Sequence, residues 1–545
     1  DITDDLKITS LTGYSKGDLF TQADYNRALP INTFNTTPLT PGGVFNDPQV
    51  GASNKFTTFD ISSGDSKQWS QELRLQSAYA GPLNFNIGAI ALDFKSTTDY
   101  YVFGNTLTAY AAAQNQGKPC APNSSCIYID PSPTPTGEGH NYYDNRTPYH
   151  LKSKAVFGEV YYEFSDVLKL TAGLRYTHDR KTQVNLPVVL FEPGSGHPLG
   201  KALPPGDWKE MTGRVVLDWK PEVAFTDSTL VYVSYAKGYK GGGLNPPQSV
   251  GIGKPQDTFN PEFVNSFEIG TKNTLLDGSL VFNATAFYYD YKAYQVSKIV
   301  NRTSINENID GTIKGLEIES IWEPIQHLRF NANLGLLDTQ IGDATSIDTG
   351  NRTQGDPSLI LVKASNASNC VANKAGVYGL MGLINAGALP VTSMLGICSG
   401  AFTGAANPLA AFGINIPVSD GIPVNLKGKE LPNSPKATIS VGAQYTWNLP
   451  SGWEATLRGD YYHQGETYSR IYNTFADRIN AWENVNATLQ VVNSGMGLQV
   501  EAYVKNLLDD EPLTDLYLTD DSSGLFQNGF ILEPRTFGIS VQKSF

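Results

Sequence analysis

Long stretches of the chain alternate apolar and polar residues with a period of two, the mark of a strand with one apolar face. From Ala437 to Trp447 the apolar set is Ala437, Ile439, Val441, Ala443, Tyr445 and Trp447, against Thr438, Ser440, Gly442, Gln444 and Thr446. From Leu168 to Tyr176 the apolar set is Leu168, Leu170, Ala172, Leu174 and Tyr176, against Lys169, Thr171, Gly173 and Arg175. The same alternation recurs at 328–336, 455–461, 485–491 and 498–504. Counted along the chain, it predicts about sixteen strands, in line with the even counts of bacterial membrane barrels. A soluble sandwich also alternates, so the strands alone do not set the class.

The connections discriminate better. Seven are short and turn-like: at Gly81-Pro82, Ser165-Asp166, 221–228, Asp277-Gly278, Pro324, Pro450-Ser451 and 493–497. The eight that alternate with them are long, near 17–66, 101–150, 183–208, 241–260, 292–310, 343–434, 467–483 and 509–532. Strict short/long alternation is what an up-and-down transmembrane barrel gives, with tight periplasmic turns and long extracellular loops. The expected class is therefore all-β, an antiparallel transmembrane β-barrel.

Tryptophan placement points the same way. Trp219, Trp322, Trp447 and Trp453 flank short turns, and Trp69, Trp208 and Trp482 lie where strands leave long loops. Two interfacial aromatic girdles are expected from this arrangement. The last strand carries Phe537, Ile539, Val541 and Phe545 on one face and Gly538, Ser540, Gln542 and Ser544 on the other.

Composition agrees. Charged residues are 17% of the chain, Gly (52) and Tyr (28) are plentiful, and no apolar run is long enough for a membrane-spanning helix. A net charge of −13 argues against nucleic acid as a partner, because phosphate binding needs a basic stripe. The opening Asp-Ile-Thr-Asp-Asp shows no leader, as in a mature chain or a fragment. The cysteines fall in two local pairs, Cys120/Cys126 and Cys370/Cys398, without metal-ligand spacing. Two disulfides in long outer connections are expected.

Several segments resemble the barrel of TonB-dependent outer-membrane receptors: SQELRLQS from Ser70, FGEVYYEFSD from Phe157, LTAGLRYTHDRK from Leu170 and VYVSYAKGYKGGGLN from Val231. PEFVNSFEIGTKNTLLDGSL from Pro261, IKGLEIE from Ile313, LPNSPKATISVGAQY from Leu431, VKNLLDDEP from Val504 and EPRTFGISVQKSF at the end continue the series. The resemblance implies a barrel of about 22 strands around an N-terminal plug, driven by the TonB–ExbB–ExbD complex. The whole chain, 1–545, would then be a partial barrel carrying a loop insertion at 343–434. The plug and first strands, roughly 300 residues on the scale of this fold, would be absent by truncation or cleavage, or lie outside the sequence given or on another chain. A passive 16-stranded porin is the alternative.

The resemblance further implies a Gram-negative outer-membrane location among lipid and lipopolysaccharide, a small-molecule ligand, and no enzymatic role. Ferric siderophore is the expected ligand class, with iron present only as part of that ligand and no resident cofactor. Oligosaccharides, cobalamin and aromatic compounds remain open.

If apolar faces meet lipid, then Glu72, Arg74, Glu159, Glu163, Arg175, Arg214, Glu317, Glu319 and Arg458 line a lumen. They either touch plug or ligand, or pair across strands in a wet interior. Tyr110, His140, Tyr142 and Tyr143, beside the first cysteine pair, offer aromatic faces to a flat ligand, with Arg74 and Arg175 as further candidates. The 343–434 connection turns small and apolar from Ala375 through Ala411, so it must pack on something. The choices are itself, the barrel mouth, a surface lipoprotein, or another outer-membrane partner.

Three motif matches are set aside. Gly13-Tyr14-Ser15-Lys16-Gly17 lacks a strand-to-helix elbow, Gly241-Gly242-Gly243 ends a strand, and the six histidines show no metal-binding spacing. Asp520-Asp521 is either a calcium site in an outer loop or a solvated pair.

Overall fold

The computed structural model describes residues 2–24, 32–121, 126–134, 143–188, 201–245, 257–300, 303–365, 368–404, 407–519, 525 and 527–544. Sixteen strands form one antiparallel meander. They are β1 (Leu6–Asp24), β2 (Thr58–Ser77), β3 (Leu83–Gly104), β4 (Tyr143–Ser165), β5 (Leu168–Val188) and β6 (Gly206–Trp219). Then follow β7 (Ser228–Lys240), β8 (Glu262–Leu275), β9 (Leu280–Val300), β10 (Thr303–Ile325) and β11 (Leu328–Ile341). The last are β12 (Ala437–Leu449), β13 (Trp453–Gln464), β14 (Trp482–Asn493), β15 (Leu498–Lys505) and β16 (Thr536–Lys543). Each pairs with the next.

The strand number matches the sequence reading, and so does the short/long order of connections except between β9 and β10. Asp277 and Gly278, at φ 57° and 83°, make the tight turn between β8 and β9. The outermost strands do not meet: among the described residues β1 pairs only with β2 and β16 only with β15. A closed barrel has no edges, whereas this sheet has two. The 16-stranded porin loses its basis here, and the sheet is part of a larger barrel.

Register puts the two residue sets on separate faces. Leu174, Met211, Val215, Val233, Phe267 and Ile269 all project from one face and are exposed. The opposite face is polar, and there aromatic rings lie over cross-strand glycines. A Cβ on Gly270 would come within 2.5 Å of the Tyr232 ring, and one on Gly315 within 2.6 Å of Phe287. Glycine at these positions lets a ring lie flat against the neighbouring strand.

Three expectations need correction. The 292–310 connection is mostly strand, because β9 and β10 run on as a hairpin to Val300 and Thr303. The connections at 17–66, 101–150 and 183–208 likewise begin and end as strand. Beyond the apolar belt the alternation weakens, and in β9–β10 a bulge breaks its phase, while backbone pairing continues.

The second girdle also fails. Trp219, Trp322, Trp447 and Trp453 sit on the apolar face beside the turns, and Trp69 lies on that face farther along β2. Trp208 is in register with Asp179 and Trp482 with Gln464, so both lie on the polar face. The Trp482 ring packs on Tyr462, 5.2 Å between centroids.

The 343–434 insertion is a small folded unit. Thr345–Ile347 pairs with Pro423–Asn425 at its base. Above lie a three-stranded sheet (Leu359–Ser365, Ser368–Asn373, Val418–Ser419) and a helix, Lys374–Asn385, capped by the Asn373 side chain on the Gly376 amide. Leu380, Ile397, Ile416, Val377 and Phe402 bury one another around the Cys370–Cys398 disulfide. The apolar run therefore packs on itself.

Candidate ligand-binding mouth

The extended β9–β10 hairpin, the base of the insertion and the 467–479 segment converge at the loop end of the sheet. A bulge between Tyr291 and Tyr294 shifts the register of β9. It flips the phase of the strand, so Tyr294, Val296 and Lys298 turn to the polar face beside Ile309 and Glu307.

Lys298 Nζ lies 2.6 Å from Glu307 and donates to Ser346 Oγ at 2.8 Å. Ser346 donates to Glu307 at 2.7 Å, and the Tyr472 hydroxyl, 3.0 Å from Ser346, donates to the Ile347 carbonyl at 2.6 Å. Arg470 ties the insertion down, binding Asp348 at 2.7 Å and Asp477 at 2.5 Å. Asp477 also accepts from the Thr474 amide and hydroxyl in a capping box. Beneath this network Ile309, Ile341, Leu426, Leu431 and Ile471 form an apolar cluster.

Two cavities flank it. One of about 410 Å³ is lined by Asn245, Phe259, Lys298, Glu307, Arg352 and Asp420 among others. A second, about 200 Å³, shares Lys298 and Thr349 and is completed by Arg470, Tyr472 and Tyr517. The first offers both signs of charge, amides and one ring, the complement of a polar ligand with an aromatic part.

Burial raises the Asp420 carboxyl above its ordinary value, with Arg352 and Lys298 opposing. A raised folded-state pKa means its contribution to stability is complete below pH 3.8 and lost as pH rises through the raised value. Asp420→Asn will remove that loss, so the variant's melting temperature will fall less than wild type's as pH rises from 3.8 to 7. An unchanged pH profile would contradict this.

The residues singled out in the sequence lie elsewhere. Arg74 pairs with Glu72 at 2.7 Å, and Arg214 with Glu159 at 2.7 Å, where the Tyr161 hydroxyl also donates. Arg175 donates to Thr177 and lies over the Phe157 ring. Arg458 binds Asp460, Gln444 and Asn331. Register places these groups, with Glu163, Glu317 and Glu319, on the polar face.

Tyr110 is exposed on a helix, Asn105–Gln114, that follows β3. Cys120–Cys126 and Cys370–Cys398 are both disulfides, with Cα atoms 6.0 and 5.5 Å apart. His140, Tyr142 and Asp520-Asp521 lie outside the described residues, as does the side chain of Tyr143, which begins β4. Among the described residues, none of the ligand candidates expected from the sequence lines either mouth cavity. The residues that do are Lys298, Glu307, Arg352, Asp420, Arg470 and Tyr472.

No described helix is long and apolar enough to cross a membrane. Residues 3–507 match the family described as TonB dependent receptor-like, beta-barrel. Among solved structures, the chain is similar to the ferric yersiniabactin uptake receptor FyuA from Yersinia pestis, at TM-score 0.62 and 14% identity over 99% of this chain and 59% of that one. It is also similar to the siderophore receptor PiuA from Acinetobacter baumannii, at 0.59 and 16% over 99% and 62%. The copper transporter OprC gives 0.55 and 12% over 100% and 63%. The chain thus spans about 60% of the length of the structures it matches. It belongs to the TonB-dependent receptor-like β-barrel family and forms part of the barrel of a Gram-negative outer-membrane protein.

Proposed function

We propose that this chain is the wall and outer mouth of a receptor for energised uptake, with the ligand held in the cavity between Lys298, Glu307, Arg352 and Asp420. The observation that carries the reading is the mouth itself: a folded insertion clamped by Arg470 over a charged, amide-rich cavity. Energy would come from TonB–ExbB–ExbD acting on a plug, and Glu72, Arg74, Glu159, Glu163, Arg175, Arg214, Glu317, Glu319 and Arg458 would line the lumen around it. Ferric siderophore is the ligand class we favour. Lys298 and Arg352 suit the anionic oxygens of such complexes, and Phe259 and Tyr517 suit their aryl groups.

The test is uptake of radiolabelled ferric siderophores by iron-limited cells with and without the gene. Uptake of at least one siderophore should vanish in the deletion, and Lys298→Gln with Arg352→Gln should weaken its binding to the full-length receptor at least tenfold. Unchanged uptake across the panel would reject the ligand class. Unchanged affinity in the double variant would reject the site.

Assigning the apolar face to lipid carries its own expectation. Ala172→Arg, at the middle of the apolar run Leu168–Tyr176, should cost about 2–4 kcal/mol in a detergent or bilayer unfolding titration. Ser234→Arg, on the other face directly opposite Glu268, should cost far less.

A further inference from the structure

We propose that the mouth selects a two-part ligand, with a charged head in the larger cavity and a single aryl ring or short alkyl arm in the smaller one. The proposal rests on the larger cavity being the ligand site, and adds what the ligand carries beyond its charge. The two cavities meet at Lys298 and Thr349. Lys298, Glu307, Arg352 and Asp420 line the larger one, so charge is read there. The bulge at Tyr291/Tyr294 sets the arrangement. It turns Lys298 and Val296 to the polar face, Lys298 at the junction and Val296 in the wall of the smaller cavity.

Three segments wall the smaller cavity. β9 gives Val296, and the 469–472 segment gives Ile471 and Tyr472. An outer hairpin, Leu513–Leu518 paired with Gln527–Ile531, gives Leu516 and Leu518. These side chains offer hydrocarbon from three directions, and hydrocarbon gains by leaving water to meet them.

The polar groups beside them are already engaged within the protein. Lys298 is held by Glu307 and Ser346, and Arg470 by Asp348 and Asp477. The Tyr472 hydroxyl donates to the Ile347 carbonyl, and the Tyr472 carbonyl accepts from Lys429 Nζ at 2.7 Å. Ser469 donates to the Asp477 carbonyl from both its amide, at 2.8 Å, and its hydroxyl, at 3.2 Å. A polar head entering here would exchange water for groups that have partners, at a cost, whereas an apolar arm gives up no hydrogen bond.

Size sets the limit on that arm. An apolar cavity of about 150 Å³ binds benzene, so the 200 Å³ available here takes one ring with a small substituent or a short alkyl chain. Lys298 fixes the point of attachment. An anionic oxygen of the head, next to the bond that carries the arm, meets its ammonium group where the two cavities join.

The test uses the full-length receptor and the iron(III) complexes of lactate and of mandelate, which share charge and chelating oxygens and differ by a methyl against a phenyl group. Tryptophan fluorescence quenching gives both affinities. Wild type should bind the mandelate complex about tenfold or more tightly than the lactate complex, as burial of a ring predicts. Leu516→Trp and, separately, Val296→Phe fill the smaller cavity, and each should cut that preference about fivefold or more. Arg352→Gln alters the larger cavity alone and should weaken both complexes alike. Crystals of wild type with the 4-bromomandelate complex need no variant to fold, and the anomalous peak of bromine should lie among Ile471, Tyr472 and Leu516. No binding of the mandelate complex, equal affinity for the two complexes, a full preference in both filled variants, or bromine outside this cavity would each overturn the proposal. If Arg352→Gln weakens neither complex, the larger cavity is not the ligand site and the proposed function falls too. If it weakens both and the phenyl preference is absent, the arm site alone falls.

Discussion

Arg470→Met will release the insertion from the rim and expose 343–434 to protease while the sheet stays folded. Asp348 and Asp477 are 3% and 0% exposed, and Arg470 is the cation that both share. Removing one member of a buried ion group costs about 3–5 kcal/mol, because the remaining charges lose compensation in a poorly solvated site. At about 1.4 kcal/mol per decade, cleavage governed by the opening equilibrium should speed by a factor of a hundred or more. Adding Asp348→Asn and Asp477→Asn to the same variant should restore much of the protection, since no charge is then stranded. If the triple variant is cleaved as fast as Arg470→Met alone, buried charge is not what holds the insertion down.

The second large effect concerns the disulfide inside that unit. Cys370 and Cys398 are 28 residues apart in sequence, and closing a loop of that length stabilises by about 3–4 kcal/mol in the chain-entropy account. Cys120 and Cys126 are separated by 6, for which the same account gives about 2 kcal/mol. Cys370→Ala/Cys398→Ala should therefore lower the unfolding midpoint of the insertion more than Cys120→Ala/Cys126→Ala affects its own loop. The sheet, read by heat-modifiable migration on gels, should be unaffected in both. A reversal of that order would show that the insertion core, Leu380 and Ile416 included, is stable without its crosslink.

These expectations rest on residues whose roles are unevenly visible in the sequence. Along β5 and β12 the residue types of the two faces differ, so alternation declares both the strands and their faces. At 292–310 the same backbone pairing persists, with Tyr294, Val296, Ile305 and Ile309 on one face and Gln295, Ser297, Asn306 and Asn308 on the other, but the bulge breaks the period and only the three-dimensional structure reveals it. The bulge at Tyr291/Tyr294 then reverses the phase, so unbroken counting would put Lys298 on the wrong side of the sheet.

The mouth is harder still to read. Asn245, Lys298, Arg352, Asp420 and Arg470 come from separate connections and meet only through tertiary packing, which no local pattern encodes. Trp208 and Trp482 are legible by parity, being in phase with Arg214 and with Asn486. Position near a strand end suggests a girdle instead, and parity is the better guide.

The division of the sheet into a lipid face and an interior face underlies every functional statement made of this chain. Nitroxide labels on single cysteines placed through 170–176 of β5, in the full-length receptor in outer membranes, test it most directly. Oxygen accessibility should peak at Leu170, Ala172, Leu174 and Tyr176, and accessibility to a water-soluble nickel chelate at Thr171, Gly173 and Arg175. Flat profiles, or nickel maxima at the even-numbered positions, would contradict the account.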